Sequence, residues 1–247
     1  MIIYAIANQK GGSAKTTTAW MLARQWAANG STVLLIDLDP QAHLTTACSL
    51  PGATPTISDV LTAIISPKES SVTMTAAARP VQADGRIRCV PSSLELENVA
   101  LNLQQNFLHT ITALHSALSS ESAHLNVDYV LIDCPPSAGV LTLNALIAAD
   151  AVIIPSAPEN WDIDGVSKMI GVVEQVQARR KGLPRIAGTI ATKTDDRTVQ
   201  HQQGLQALHS LPIPVIGQIV RRNGLDAEEQ IYASYASIAR VLQEVAQ

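Results

Sequence analysis

Six apolar residues, Ile2-Ile3-Tyr4-Ala5-Ile6-Ala7, lead through Asn8 into Gln9-Lys10-Gly11-Gly12-Ser13-Ala14-Lys15-Thr16-Thr17-Thr18. A short apolar run, then paired glycines, then a run of hydroxyl residues reads as a strand, a tight loop and a helix start. Such a loop lets backbone N–H groups converge on phosphate oxygens, and the helix N-terminus adds its partial positive charge. Lys15 is placed to reach the β/γ-phosphates of a nucleoside triphosphate, and the Thr16 hydroxyl to bind Mg²⁺. A chance Gly-Gly turn would explain the glycines but not the strand before them or the Lys-Thr pair after them. The strict G-x-x-x-x-G-K-[ST] pattern is not met: with Lys15 and Thr16 in place its two glycine positions hold Gln9 and Ala14, and Lys10 adds a second lysine to the loop. Two lysines therefore face the phosphates where an ordinary loop needs one.

The remainder of the chain suits an α/β architecture. Its 247 residues are 47% hydrophobic but only 3% aromatic, so the core is aliphatic, as in parallel sheets covered by helices. Short apolar runs at 2–7, 32–37, 87–90, 129–133, 151–154, 186–191 and 215–220 predict strands. Helical patterns near 15–28, 56–66, 96–119, 139–149, 163–181, 199–210 and 227–246 separate them. Strands alternating with helices make βαβ units, hence a doubly wound, mostly parallel sheet flanked by helices. The Ser/Thr/Ala-rich stretch 66–85 reads as a surface loop or a loose edge. No repeat or linker divides the chain, so a single domain over 1–247 is expected.

Composition excludes several classes. Three scattered cysteines (Cys48, Cys89, Cys134) without a C-x-x-C pair argue for a reducing cytoplasm, against a disulfide framework and against a zinc site. No signal peptide or 18-residue apolar span is evident. The net charge of −4 does not by itself suggest a nucleic-acid binder, but it is unevenly spread. Residues 1–164 hold 7 Lys/Arg against 14 Asp/Glu, whereas residues 165–247 hold 10 against 7. Arg179-Arg180-Lys181 and Arg221-Arg222 contribute to that basic surplus, which equally describes a solvated helix end and a loop.

Two further strings end in carboxylates. Val33-Leu34-Leu35-Ile36-Asp37-Leu38-Asp39-Pro40-Gln41 places Asp37 and Asp39 on one side of the chain at a strand's carboxyl end, where parallel sheets bind ligands. Beside a phosphate loop, these carboxylates suit Mg²⁺ positioning and orientation of an attacking water. Tyr129 to Asp133, followed by Cys134-Pro135-Pro136-Ser137, is a Walker B arrangement in which Asp133 supports the metal or its waters. Cys134 reads as a packing residue, since no histidine lies nearby in sequence to activate it.

Together these strings resemble the ParA/MinD group of deviant Walker A ATPases, and more closely its ParA (Soj-like) partition ATPases. K-G-G-x-x-K-T-T is met by Lys10 to Thr17, D-x-D-P-Q by Asp37 to Gln41, and I-D-x-P-P-S by Ile132 to Ser137. L-T-x-N-A-L-x-A-A-D is met by Leu141 to Asp150, and Ile154 to Glu159 followed by Gly165 is similar to the later I-P-x-x-x-E element. Ala14 departs from the family, which usually has glycine there. Alanine is therefore expected to hold the loop in a conformation that a Cβ tolerates, with binding preserved and kinetics altered. The chain starts at its first strand, so the helix-turn-helix extension of larger partition ATPases, and with it operon repression, is not expected.

The resemblance implies ATP and Mg²⁺ as ligands. Gly11, Gly12, Ser13, Ala14, Lys15, Thr16 and Thr17 would cradle the phosphates, while Thr16, Asp37 and Asp133 would hold the metal. Lys10, Lys15 and Asp39 would be the catalytic residues, with Asp39 orienting water. Lys10 would reach across a face-to-face homodimer to the partner's nucleotide. The ATP-bound dimer would bind DNA without sequence preference and be released when a ParB-like centromere-binding protein stimulates hydrolysis in the cytoplasm, on the nucleoid. Arg197, within Asp195-Asp196-Arg197-Thr198, and Arg221 and Arg222, in a segment similar to the family's P-R-N loop, are the candidate DNA contacts.

Other readings of the same residues remain open here. Thr192-Lys193-Thr194-Asp195 is similar to the T-K-x-D string with which some related GTPases read guanine, although the other strings favour ATP. A MinD-like membrane ATPase would need a basic amphipathic C-terminal helix, whereas this one begins with Asp226, Glu228 and Glu229. A nitrogenase-type iron–sulfur reductase would need cysteines in glycine-rich loops at the dimer face. A cargo-positioning ATPase acting on a protein assembly would share all of the ATP chemistry.

Overall fold

In the computed structural model, which describes residues 1–68, 70–105, 107–195, 197–221 and 226–245, the apolar runs form one sheet. Its strands are β1 (Ile2–Ile6), β2 (Val33–Asp37), β3 (Arg79–Pro80), β4 (Ile87–Val90), β5 (Tyr129–Asp133), β6 (Ala151–Ser156), β7 (Arg185–Thr194) and β8 (Val215–Val220). Their order is β3-β4-β2-β5-β1-β6-β7-β8. Every pairing is parallel except β3 with β4, which is antiparallel at one edge. β1 lies inside the sheet between β5 and β6. The chain builds strands on one side of β1 and then crosses to the other, which makes the carboxyl end of β1 a topological switch point.

The helices are α1 (Lys15–Ala28), α2 (His43–Ala47), α3 (Ile57–Ile65), α4 (Met74–Ala77), α5 (Leu96–Gln105), α6 (Phe107–Thr110), α7 (Ala113–Ser120), α8 (Ser122–Leu125), α9 (Val140–Ala148), α10 (Asn160–Gln177), α11 (Val199–His209) and α12 (Ala227–Val245). All seven expected strands are present, and β7 runs further than its apolar stretch. Two expectations need revision. The stretch 66–85 is not simply loop, since it holds α4 and the edge strand β3. The single helix expected over 96–119 divides into α5, α6 and α7. β-Branched Ile111 and Thr112 separate α6 from α7, and Thr110, the last residue of α6, donates its hydroxyl back to the Leu103 carbonyl of α5 at 2.6 Å.

Side chains of β1 and of Ala7, which follows it, alternate between two cores. Tyr4 and Ile6 pack with α1 and α12, while Ile3, Ala5 and Ala7 pack with the opposite helical layer, which includes α3, α7, α9 and α10. Aromatic residues, scarce in the chain, gather where α1 must be held. Fully buried Trp26 stacks on Tyr129 with ring centroids 4.2 Å apart and tilts against Tyr4 at 5.6 Å. Its indole N–H donates to the Ala239 carbonyl of α12 (3.2 Å), Tyr4 donates to the Leu242 carbonyl (2.8 Å), and Thr18 shares a 2.9 Å hydrogen bond with Tyr235. Truncating a buried tryptophan costs about 3–5 kcal/mol. That packing fixes the helix whose first turn completes the phosphate loop.

Candidate nucleotide site

The loop after β1 is shaped by its own polar groups. Asn8 is fully buried; its Nδ2 donates to the Pro155 carbonyl at 2.8 Å, and its Oδ1 accepts the Lys10 amide at 3.1 Å. The Lys10 carbonyl accepts from Ser13 Oγ (3.2 Å) and from Lys15 Nζ (3.1 Å), so the ammonium lies across the loop. Gly12 has φ +78°, a conformation that glycine adopts without strain. Ala14 also lies in the left-handed region, at φ +68° and ψ +29°. The expectation that alanine would steer the loop away from positive φ is therefore overturned. The loop keeps a glycine-like shape and carries the Cβ within it; the Ala14 carbonyl accepts from the Thr18 amide in α1 at 2.9 Å, and Thr192 and Lys193 of β7 donate to the Ser13 and Gly12 carbonyls.

A cleft of about 360 Å³ opens over this loop, lined by Gly11 to Thr17, Asp39, Gln41, His43, Pro136 and Lys193. A larger apolar cavity, about 540 Å³, lies between α6, α9 and α10 and shares none of these residues. The smaller cleft carries the loop residues that the sequence singles out and is therefore the candidate site.

Three carboxylates converge behind the loop. Thr16 Oγ1 donates to Asp133 Oδ2 at 2.7 Å, while Asp133 Oδ1 is buried with no hydrogen-bond partner among the described residues. Burial first, and the neighbouring charge of Asp37 second, push the Asp133 carboxyl up to about 8. Burial also raises Asp37, its partner in the β2–β5 register, to about 6, with hydrogen bonds from Thr45 opposing the shift. Burial lowers the Lys15 ammonium, against the pull of Asp133. An orphaned carboxylate oxygen and this local excess of negative charge fit a divalent cation. Among the described residues no three carboxylate, imidazole or thiolate groups form an all-protein cage. That donor set suits Mg²⁺, which keeps waters and takes phosphate oxygens.

The aspartates differ in their engagement. Asp37 Oδ2 accepts both the Thr45 amide and the Thr45 hydroxyl at 2.7 Å, and its Oδ1 accepts the Asp39 amide at 3.2 Å. Thr45 Oγ1 in turn accepts the Ser92 amide at 2.8 Å, which ties β2, α2 and the segment after β4 together. Asp39 lines the cleft and spends Oδ1 on the Gln41 amide at 3.0 Å. Sequence reading missed Asn8, Thr45 and His43; a polar residue at the end of an apolar strand was the available signal for Asn8. Cys134 is buried and free, as its packing role requires.

At the rim, Lys10 Nζ lies 3.8 Å from Glu159 Oε2, its side chain about one-third exposed. A Cβ on Gly165 in α10 would come within 2.8 Å of Asn8 Oδ1, so that glycine permits the close approach of α10 to the loop. Arg197 makes a bidentate pair with Asp195, Nε and Nη2 each at 2.8 Å, and this pairing holds the Asp195 carboxyl well below its usual range. Arg221 is exposed, and its amide donates to the Thr194 carbonyl at 2.8 Å. Both arginines thus flank the carboxyl end of β7, whereas Arg222 lies outside the described residues.

A family model described as an AAA domain matches residues 1–184. The chain is 36% identical over 204 residues to the chromosome partitioning protein ParA of Caulobacter vibrioides, covering 81% of this chain and 73% of that protein. It is 34% identical over 198 residues to the sporulation initiation inhibitor protein Soj of Bacillus subtilis, covering 79% and 74% respectively. Among solved structures, cobyrinic acid a,c-diamide synthase from Mycobacterium smegmatis, with a bound ATP analogue and magnesium, aligns at 30% identity. Its TM-score is 0.84, over 99% of this chain and 95% of that one. A shared fold therefore hosts differently named activities, and family rests on the relatives and the loop rather than on the sheet. With its phosphate loop, paired aspartates and Walker B strand inside the matched region, the chain belongs to the ParA/Soj family of partition ATPases.

Proposed function

We propose that this protein binds ATP with Mg²⁺, closes into a face-to-face homodimer, binds DNA without sequence preference and is reset by hydrolysis that a ParB-like partner stimulates. Lys10 carries the reading: it is a second cation on the phosphate loop, held at the rim by a 3.8 Å pairing with Glu159. The γ-phosphate charge of two facing sites repels across an interface unless a partner's cation offsets it. In the dimer Lys10 exchanges Glu159 for the partner's phosphates.

Thr16 and Asp133 would hold the metal, the first with its hydroxyl and the second with the carboxylate oxygen that has no hydrogen-bond partner among the described residues. When bound, Mg²⁺ neutralises phosphate charge and makes the γ-phosphorus a better electrophile. Lys15 donates to the β/γ-phosphates, and the amides of 11–17 hold their oxygens. Asp39 accepts a proton from an attacking water and orients it. Asp37 contributes charge to the metal site while it anchors α2. ATP is preferred to GTP because Asp195, the base reader of a T-K-x-D string, has both oxygens occupied by Arg197.

DNA phosphates are contacted by Arg197, Arg221 and Arg222 of both subunits, in a salt-sensitive way. Membrane attachment through the last helix is disfavoured, since Tyr235, Ile238, Ala239 and Leu242 of α12 are spent in the core. No described helix is long and apolar enough to cross a membrane. The test is DNA binding with ATP, with ADP, and after Lys10→Ala. The proposal expects binding with ATP alone, abolished by the substitution; indifference to nucleotide and to Lys10 would end it.

A further inference from the structure

Two non-glycine residues with left-handed backbones meet at the phosphate loop. Ala14 has φ +68° and Lys193, on β7, has φ +54°. For an L-residue other than glycine, asparagine or aspartate, that region is disfavoured by about 5- to 30-fold in population. Something outside the local chain must hold each of them there.

At Lys193 the cause lies in the sheet. The β7–β8 ladder shifts register between Ala191 and Thr194, and Lys193 sits in the shift. Its side chain leaves the sheet and donates through Nζ to the Gly12 carbonyl at 2.6 Å. The preceding residue acts on the next peptide, with Thr192 Oγ1 donating to the Ser13 carbonyl at 3.3 Å. Those carbonyls belong to the two peptide planes that lead into Ala14. On its other side, the Ala14 carbonyl is fixed by Thr18 in α1. With both flanking planes pinned, the φ and ψ of Ala14 follow.

We propose that Thr192 and Lys193 form a strap from β7 that holds Ala14 in its left-handed conformation, so that Lys193 is a positioning residue for the phosphate loop. The lysine supplies from a distant strand the constraint that the loop sequence lacks without a glycine. In this chain the T-K-x-D string serves the loop, not the base. The proposal rests on reading this loop as a triphosphate site, but the strap can be examined without any nucleotide.

The experiment is a double-mutant cycle between Lys193→Met, which keeps the aliphatic stem and removes the donor, and Ala14→Gly, which removes the need for restraint. Mg-ATP affinity is read by fluorescence titration. Lys193→Met should weaken ATP binding about fivefold or more with Ala14 present, and by no more than about twofold in the Ala14→Gly background. Lys193→Arg, which keeps a donor, should stay within about twofold of the parent chain. In nucleotide-free protein, Lys193→Met should speed hydrogen exchange of the amides of 12–16 when Ala14 is present but not when it is replaced by glycine. Equal losses in both backgrounds would mean that Lys193 acts as a charge on the phosphates, and the strap would be wrong. Unchanged affinity and unchanged exchange would overturn it as well.

Discussion

Thr16 donates its hydroxyl to one oxygen of Asp133 and leaves the other oxygen buried and unmatched. Under the proposed function this pair would take the metal, with Thr16 orienting Asp133. Removing the hydroxyl by Thr16→Val should weaken Mg²⁺-dependent nucleotide binding by about 10- to 100-fold, the usual cost of losing such an orienting contact. Titrating Mg²⁺ against nucleotide binding checks it. Binding in excess EDTA should respond far less.

Metal-free protein should lose stability as the pH rises. Folding raises Asp37 to about 6 and Asp133 to about 8, above the ordinary value of 3.8. The native state therefore holds protons that the unfolded chain has released, and stability falls as each folded value is passed. Their contribution is whole below about pH 4 and is lost progressively up to about pH 8. In EDTA, Tm should drop by about 3 °C or more between pH 6 and pH 8. Saturating Mg-ATP should flatten that slope, which scanning calorimetry can test.

Gly165→Ala should damage the loop from the far side of the site. The new methyl meets Asn8 Oδ1, which holds the Lys10 amide. Overpacking of this kind costs about 1–3 kcal/mol. Urea unfolding reports the loss, and sedimentation with ATP should show a dimer weakened beyond that of a surface control.

Thr45→Val keeps the shape of the side chain but strands two groups, since Asp37 loses a hydroxyl donor and the Ser92 amide loses its acceptor. Leaving buried partners unmatched should destabilise the fold by about 2–4 kcal/mol. A loss below about 0.5 kcal/mol in urea unfolding would mean that water replaces the hydroxyl.

Asp195 pairs with Arg197, so under the proposed function it would compete with DNA for that side chain. Asp195→Ala should tighten DNA binding by the ATP-bound form, and Arg221→Ala should weaken it while lowering the salt slope by about 1. Both are read from binding isotherms at several salt concentrations.

Much of this architecture was legible in the sequence because the signals were local. Strands of β-branched residues ending in Asp37 or Asp133 announced both their positions and the end of the sheet that holds the site. The loop residues from Gly11 to Thr17 gather at one cleft, as their spacing predicts. What escaped was non-local. That Thr45 would satisfy Asp37, or that Lys193 would reach Gly12, depends on which strand neighbours which and on a register shift in β7. The left-handed Ala14 escaped for the same reason: intrinsic preference argued against it, and hydrogen bonds spanning 179 and 181 residues of sequence overrode that preference. The short α2, α4 and α8 carry too few turns to leave a periodic trace.

The bonds that seat α1 come from the far end of the chain. Tyr4 reaches Leu242, Trp26 reaches Ala239 and Thr18 reaches Tyr235. A ribosome that has reached α11 has therefore made every phosphate-binding group and every carboxylate of the site, yet lacks the helix that seats α1. Loop closure over such separations is slow and comes late in folding. Nascent chains should thus carry the whole motif without the affinity, and a competent nucleotide site should be a property of finished molecules only.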